Sequence, residues 1–271
     1  MSRTRTKSGF GNRWNLRCIL CLVPSLLGIV FFFLIPYLRV LYYSVINNQF
    51  QRKPVWGANY AKVLKNEYFQ LAMKNSLLLI VIGVPVLLGL ALLVSFLLSF
   101  SMKRFTFLRD GFIFPMLVPT AAIVPVWQSL FAGWDSAVPI YTLFVWKNLG
   151  LCVILLTAAL TTIDESVYEA ARLDGAKAFR LHLSITMPMI TPTIFFTILI
   201  SIVNTFKVFK ESFLYYGGQY PPNHSYTLQY YMNNHFLKFD YQTLAASSVL
   251  TSFLVLLIVL CGLSVQRRFQ S

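Results

Sequence analysis

Acidic residues are scarce in this sequence. Nine Asp and Glu stand against 23 Lys and Arg in 271 residues, and charged residues together make up only 12%. Soluble domains carry about 25%. With 57% hydrophobic residues, this composition excludes a water-soluble globule and describes a polytopic membrane protein. Catalytic patterns are missing too. No G-x-x-x-x-G-K-[ST] occurs, so the chain has no phosphate-binding loop of its own. There is no HExxH, no paired catalytic carboxylate and no G-x-S-x-G, and the three histidines never cluster. Neither catalytic residues nor metal ligands are therefore expected, and a membrane-embedded enzyme has no residue set to run on. Cysteines number four: Cys18, Cys21, Cys152 and Cys261, all in or beside apolar runs. The C-x-x-C at 18–21 has no second pair and no nearby histidine, so it reads as packed apolar thiols.

Long apolar runs are what the sequence does have. Six stretches, at about 18–38, 77–100, 110–132, 139–163, 189–209 and 244–265, match a hydrocarbon core of roughly 30 Å. The first is too long for a cleaved leader and lacks a small-residue cleavage site, so it reads as an uncleaved span. The net charge of +14 is spread between these runs and forms no single basic face. Anionic lipid and the positive-inside bias explain it better than nucleic acid does. Basic residues in 1–17, in the short 101–109 turn and at Arg267-Arg268 place those segments on the cytoplasmic side. The 47–74 loop is also basic, against that trend. Residues 1–17 and 266–271 are expected as cytoplasmic tails around one transmembrane domain, 18–265.

One polar stretch between two spans itself reads as helix: residues 164–188, DESVYEAARLDGAKAFRLHLSITMP. Glu165 to Leu173 combines helix formers with apolar Val167, Ala170, Ala171 and Leu173. Gly175 interrupts, a second piece runs from Ala176 to about Ser184, and Pro188 opens the next span. Glu169-Ala170-Ala171, Gly175, Ile185 and Pro188, at these gaps and in this place, resemble the EAA loop of binding-protein-dependent ABC importer permeases. The wording EAARLDGA with ITMP is similar to the carbohydrate, maltose-type branch. Two departures stand out: Met187 where that family usually has Leu, and His182 where it usually has Phe, a polar ring in an apolar contact. Further likenesses are Trp56-Gly57-Ala58-Asn59-Tyr60 and Asn75-Ser76 (G-x-N-Y and N-T signatures), the W-x-x-L-F ending at 127–131, Trp146-Lys147 with Gly150 (W-K-x-x-G), and Gly217-Gly218 with Pro221-Pro222.

The resemblance implies an all-α type I importer permease with six transmembrane helices and a cytoplasmic two-helix coupling loop. It implies a second permease subunit, in a heterodimer, two ATP-binding subunits and an extracytoplasmic solute-binding protein. A carbohydrate would be the substrate and the bacterial inner or plasma membrane the location, with both termini cytoplasmic. No cofactor is expected in this chain; ATP and Mg would sit on the partner ATPase subunits. Glu165–Leu173 would insert into a groove of an ATPase subunit, with Ala170 and Ala171 allowing close approach and Glu169 accepting a hydrogen bond. Asp174 would cap the second helix and Gly175 would set the angle between the two pieces. An ion-coupled secondary transporter or a channel is the alternative, set back by the lack of acids within the expected spans.

Within the spans, Thr193, Thr197, Ser201 and Asn204 recur at three- and four-residue gaps and share one face. They are candidates for a translocation path, with Asn204 able to donate to and accept from a sugar hydroxyl. Helix–helix packing is the competing reading. Gln128 joins the path candidates because a buried amide needs a partner or water. Lys147, the one full charge well inside an apolar run, either snorkels to the interface or lines a polar path, and snorkelling is favoured. Pro115, Pro119 and Pro125 predict a bent third span. The tyrosine-rich 210–243 loop is either a sugar-binding surface or an interfacial belt. His224 and His235, without carboxylate support nearby in sequence, are a weak metal signal.

Overall fold

Proline placement explains the breaks in the long helices. The computed structural model describes residues 11–100, 111–174 and 181–270. Its first span joins α1 (Gly11–Ile29) to α2 (Ile35–Ser44) through a π turn, Val30–Leu34. After α3 (Ala58–Lys65), the second joins α4 (Glu67–Leu78) to α5 (Val84–Phe100) through Leu79–Gly83. A third π turn, His182–Thr186, leads into a helix starting at Met187. Each of these turns ends two residues before a proline: Pro36, Pro85 and Pro188. Proline has no N–H to donate and its ring clashes with the carbonyl four residues back. Widening the turn by one residue relieves both problems. Ile35 N–H accordingly reaches back to Val30 O, and Met187 N–H to His182 O.

Among the described residues, five helices are long and apolar enough to cross a membrane: Leu20–Ser44, Glu67–Ser99, Val138–Thr161, His182–Tyr216 and Tyr241–Ser264. The expected third span is not one bent helix. It is two pieces, α6 (Phe114–Leu117) and α7 (Thr120–Leu130), separated at Val118, whose ψ of 125° is extended. A residue before proline is driven out of the helical region, and Pro119 follows Val118. The remaining elements are α8 (Val138–Thr161), α9 (Glu165–Leu173), α10 (Met187–Lys207), α11 (Phe209–Tyr216), α12 (Leu228–Leu237) and α13 (Tyr241–Gln270). The expected 210–243 loop is therefore largely helical. The fifth span continues through α11 until Gly217, at φ 67°, supplies the left-handed residue that ends it.

Two cores result. Leu87, Ala91, Phe144, Val153, Leu156 and Ile202 join α5, α8 and α10. Val63, Phe69, Ala72, Leu228, Tyr230 and Tyr231 join α3, α4 and α12 against the start of α13. Lipid tails are as apolar as leucine, so close packing carries the first core more than water exclusion does. Gly150 in α8 illustrates how close. A Cβ there would overlap the carbonyl oxygen of Phe112. Only glycine lets the backbone entering α6 rest on α8.

Candidate functional site

The stretch after α8 folds as its residue types demand. Asp164 takes an extended backbone and its carboxylate accepts from Ser166 N–H at 2.9 Å, capping α9. That bond holds the Asp164 carboxyl below its ordinary value. Glu165 in the first turn and Arg172 in the last complement the helix dipole. Ala171 turns inward and is buried, whereas Glu169, Ala170 and Asp174 are exposed, and Leu173 is 89% exposed. Asp174 occupies the C-cap position of α9. Gly175 and the start of the expected second helix, 176–180, lie outside the described residues. Ile185 is half-buried inside the third π turn, and Pro188 stands exposed in the first turn of α10.

Behind α9, Tyr168 Oη lies 3.3 Å from Thr186 Oγ1, and Thr186 Oγ1 lies 3.4 Å from His182 Nδ1. The His182 ring packs edge-on against Phe96 of α5 at 5.3 Å. The unusual histidine thus joins the loop to the body of the chain, where the sequence placed it only in an apolar contact.

The polar face of α10 and α11 meets matching groups on α8. Ser201 Oγ lies 3.6 Å from Cys152 Sγ, and Asn204 Nδ2 donates to Asn148 Oδ1 at 2.9 Å. Lys147 Nζ donates to Glu211 Oε1 at 2.7 Å and to Thr120 Oγ1 at 2.8 Å. Lys147 does not snorkel. It sits nine residues into α8, roughly 14 Å along the axis, and an ion pair there is worth more than a long reach to water. Glu211 also corrects the view that the spans hold no acid: α11 extends the fifth span past the point where the apolar run stops. Thr197 and Ser201 are fully enclosed, and their hydroxyls donate to Thr193 and Thr197 carbonyls at 2.7 Å. Asn204 is half-buried, and exposed Gln128 donates to the Tyr215 carbonyl at 2.7 Å.

Beside this seam lies a cavity of about 320 Å³, lined by Gly111, Phe112, Pro115, Trp146, Leu149 and Gly150. Trp146 also meets Trp127 of α7, ring centroids 5.1 Å apart. Sequence reasoning missed this cavity. Its only sequence trace was the Trp146-to-Gly150 spacing, which puts both residues on one helix face.

The opposite end of α8 is differently built. Asn59 Nδ2 donates to the carbonyls of Ser44 and Ile46, and Tyr60 Oη lies 2.6 Å from Ser44 Oγ. Asn75 Nδ2 donates to Asn223 and Tyr226 carbonyls at 2.6 and 2.9 Å, while Ser76 Oγ accepts from Leu228 N–H and so caps α12. Tyr226, Tyr230 and Tyr231 are buried, so these three form core rather than a sugar-facing surface. His224 faces Asp135 and Tyr216, and His235 faces Asp240.

Residues 99–271 match the family described as the binding-protein-dependent transport system inner membrane component. The chain belongs to that family. The permease is similar to the lactose transport system permease protein LacF of Rhizobium radiobacter, at 26% identity over 94% of each chain. It is also similar to the sn-glycerol-3-phosphate transport system permease protein UgpA of Rhizobium meliloti, at 27% identity over 88% of this chain and 90% of the relative. Its fold is that of a chain in a bacterial alginate ABC transporter crystallised with a pentasaccharide-bound periplasmic protein. That chain superimposes with a TM-score of 0.73 at 20% identity, covering 98% of both. The permease is thus an all-α, multi-pass membrane protein of a binding-protein-dependent importer.

Proposed function

We propose that the permease forms half of the translocation path of an ATP-driven carbohydrate importer and transmits motion from an ATPase subunit through α9. The bare, capped α9 carries this reading: an amphipathic helix hung between two spans, with Leu173 at its tip uncovered by any described part of the chain. A second permease subunit completes the path, two ATP-binding subunits carry ATP and Mg, and an extracytoplasmic solute-binding protein delivers the solute. Both termini and α9 face the cytoplasm of a bacterial cell, in keeping with the basic ends and an even number of crossings. The broken α6–α7 segment supplies the sixth crossing.

The names of the relatives suggest lactose-like solutes on one side and glycerol phosphate on the other. Charge favours the neutral class, because the Lys147 ammonium is already neutralised by Glu211 and offers no free handle to a phosphate. The cavity, walled by the Trp146 and Phe112 rings, is of a kind that holds a sugar ring. Thr197 and Ser201, packed as they are, serve the helix interface in this conformation.

A photo-crosslinker at Leu173, with the importer intact in native membranes, is expected to capture a subunit bearing a P-loop. Capture of lipid alone would overturn the assignment. Gly175→Leu is expected to leave the chain in the membrane but lower ATP-driven uptake at least tenfold. Uptake that persisted after ATP depletion and followed an ion gradient would favour a secondary transporter instead.

A further inference from the structure

We propose that Lys147, Glu211 and Thr120 form an electrostatic clasp that positions α7, and with it Trp127, the ring that packs on the cavity-lining Trp146. The consequence for transport rests on reading that cavity as path; the clasp itself does not. Three separate elements meet at one point. Lys147 comes from α8, Glu211 from α11 and Thr120 from the first turn of α7. Side-chain exposures of 17% for Lys147 and 14% for Glu211 put the pair in a largely dry setting, where a charge is costly unless paired.

The reason α7 needs holding is the break before it. Val118 and Pro119 detach α7 from α6, and no continuous helix carries it through the membrane. Its other polar ties among the described residues are side bonds: Gln128 to the Tyr215 carbonyl, and Trp127 Nε1 to Thr142 Oγ1 at 3.2 Å. Thr120 and Val124, one turn apart, are the two buried residues of α7. Lys147 and Glu211 therefore anchor the buried edge of a segment that presents Trp127 to Trp146. They are positioning residues, and solute affinity should depend on them without direct contact.

The test uses the full chain in native membranes with its partners, in a background where the four native cysteines are alanine. Val124→Cys reports on the seat of α7, being 3% exposed. Val153→Cys, fully buried in the α5–α8–α10 core, reports on the body of the chain. N-ethylmaleimide is the probe, and its rate of modification is read at each site. With Lys147→Met, Glu211→Gln or both together, modification of the cysteine at 124 is expected to rise about tenfold while that at 153 stays at the parent rate. Reversing the pair, Lys147→Glu with Glu211→Lys, is expected to return the parent rate. An unchanged rate at 124 in both single variants would overturn the proposal. So would an equal rise at both sites, which would mean general loosening. A doubly neutral variant indistinguishable from the parent would also overturn it, because then only the lone buried charge matters. No solute enters this readout, so it fails or stands separately from the transport reading.

Discussion

The two ends of α8 are built on opposite principles. Where α8 begins, the surrounding segments are tied down by side chains reaching across large sequence distances: Asn75 to residues 223 and 226, Ser76 to Leu228, Asn59 to the end of α2. Tyrosines there fill the interior, and burial pushes the Tyr230 phenol up to about 12. Where α8 ends, α9 is secured by a local cap, buried Ala171 and the Tyr168–Thr186 contact, while Glu165, Glu169, Arg172 and Leu173 are exposed. One end spends its polar groups on itself. The other leaves Glu169 and Arg172 exposed, and the proposed coupling role of α9 rests on that contrast with the α3–α4–α12 end.

Tyr230→Ala should break the comparison most severely. It empties the centre of the rigid end, against Phe209, Phe213 and Tyr226, and truncating a buried aromatic costs about 3–5 kcal/mol. A clear fall in Tm of the detergent-solubilised protein is expected; an unchanged Tm would mean the rigid end is not a packed core. Asn75→Ala comes next. It strips partners from two carbonyls, at about 1–3 kcal/mol each where they stay dry. Ser76→Ala should do less, removing a single cap bond to α12 at about 1 kcal/mol. At the other end, Leu173→Ala should change stability by no more than about 0.5 kcal/mol, as exposed substitutions do, and Tm should barely move. ATP-driven uptake should nevertheless fall. Loss of Tm together with unchanged uptake would reverse the roles given to the two ends.

How far the sequence foretold this depends on the length scale of the interaction. The α9 helix, its boundaries and the prolines that disturb the long helices are local matters, and local chemistry dictates them: Asp164 opens α9, and Pro36, Pro85 and Pro188 each follow a widened turn. The membrane spans were legible for the same reason, except where Pro119 cut one in two. Pairings across the fold were not legible. Lys147 and Glu211 are 64 residues apart, and Glu211 looked like a loop residue because the apolar run ends before α11 does. Likewise Asn75-Ser76 resembled a signature without revealing its use, since the carbonyls and N–H it serves are about 150 positions away. The tyrosines of 226–231 looked equally suited to solute and to core, and only packing decides between the two.

The smallest effect sharpens the contrast with pH. Aspartates cap a helix at both ends of the molecule, Asp164 on α9 and Asp240 on α13, where Thr243 N–H donates to it at 3.2 Å. His235 beside it, with the Thr243 bonds and Lys62 at 3.6 Å, holds the Asp240 carboxyl far below the usual carboxylate range. The Asp164 carboxyl is lowered by the Ser166 bonds and has no such neighbours among the described residues. Both shifts are downward, so each cap contributes stability that is complete above the unfolded value of about 3.9 and is lost as pH falls through the folded value. The loss at Asp240 must therefore extend to more acidic pH than the loss at Asp164. Acid titration followed by amide hydrogen exchange should see α9 open first, while the start of α13 stays protected. Asp240→Asn, which keeps a capping oxygen but has no proton to gain, should lower protection at the start of α13 near neutral pH and remove its dependence on acid, without moving the opening of α9. If α13 opened first in the parent, the α9 end would not be the looser one, and the division of labour between the two ends would fall with it.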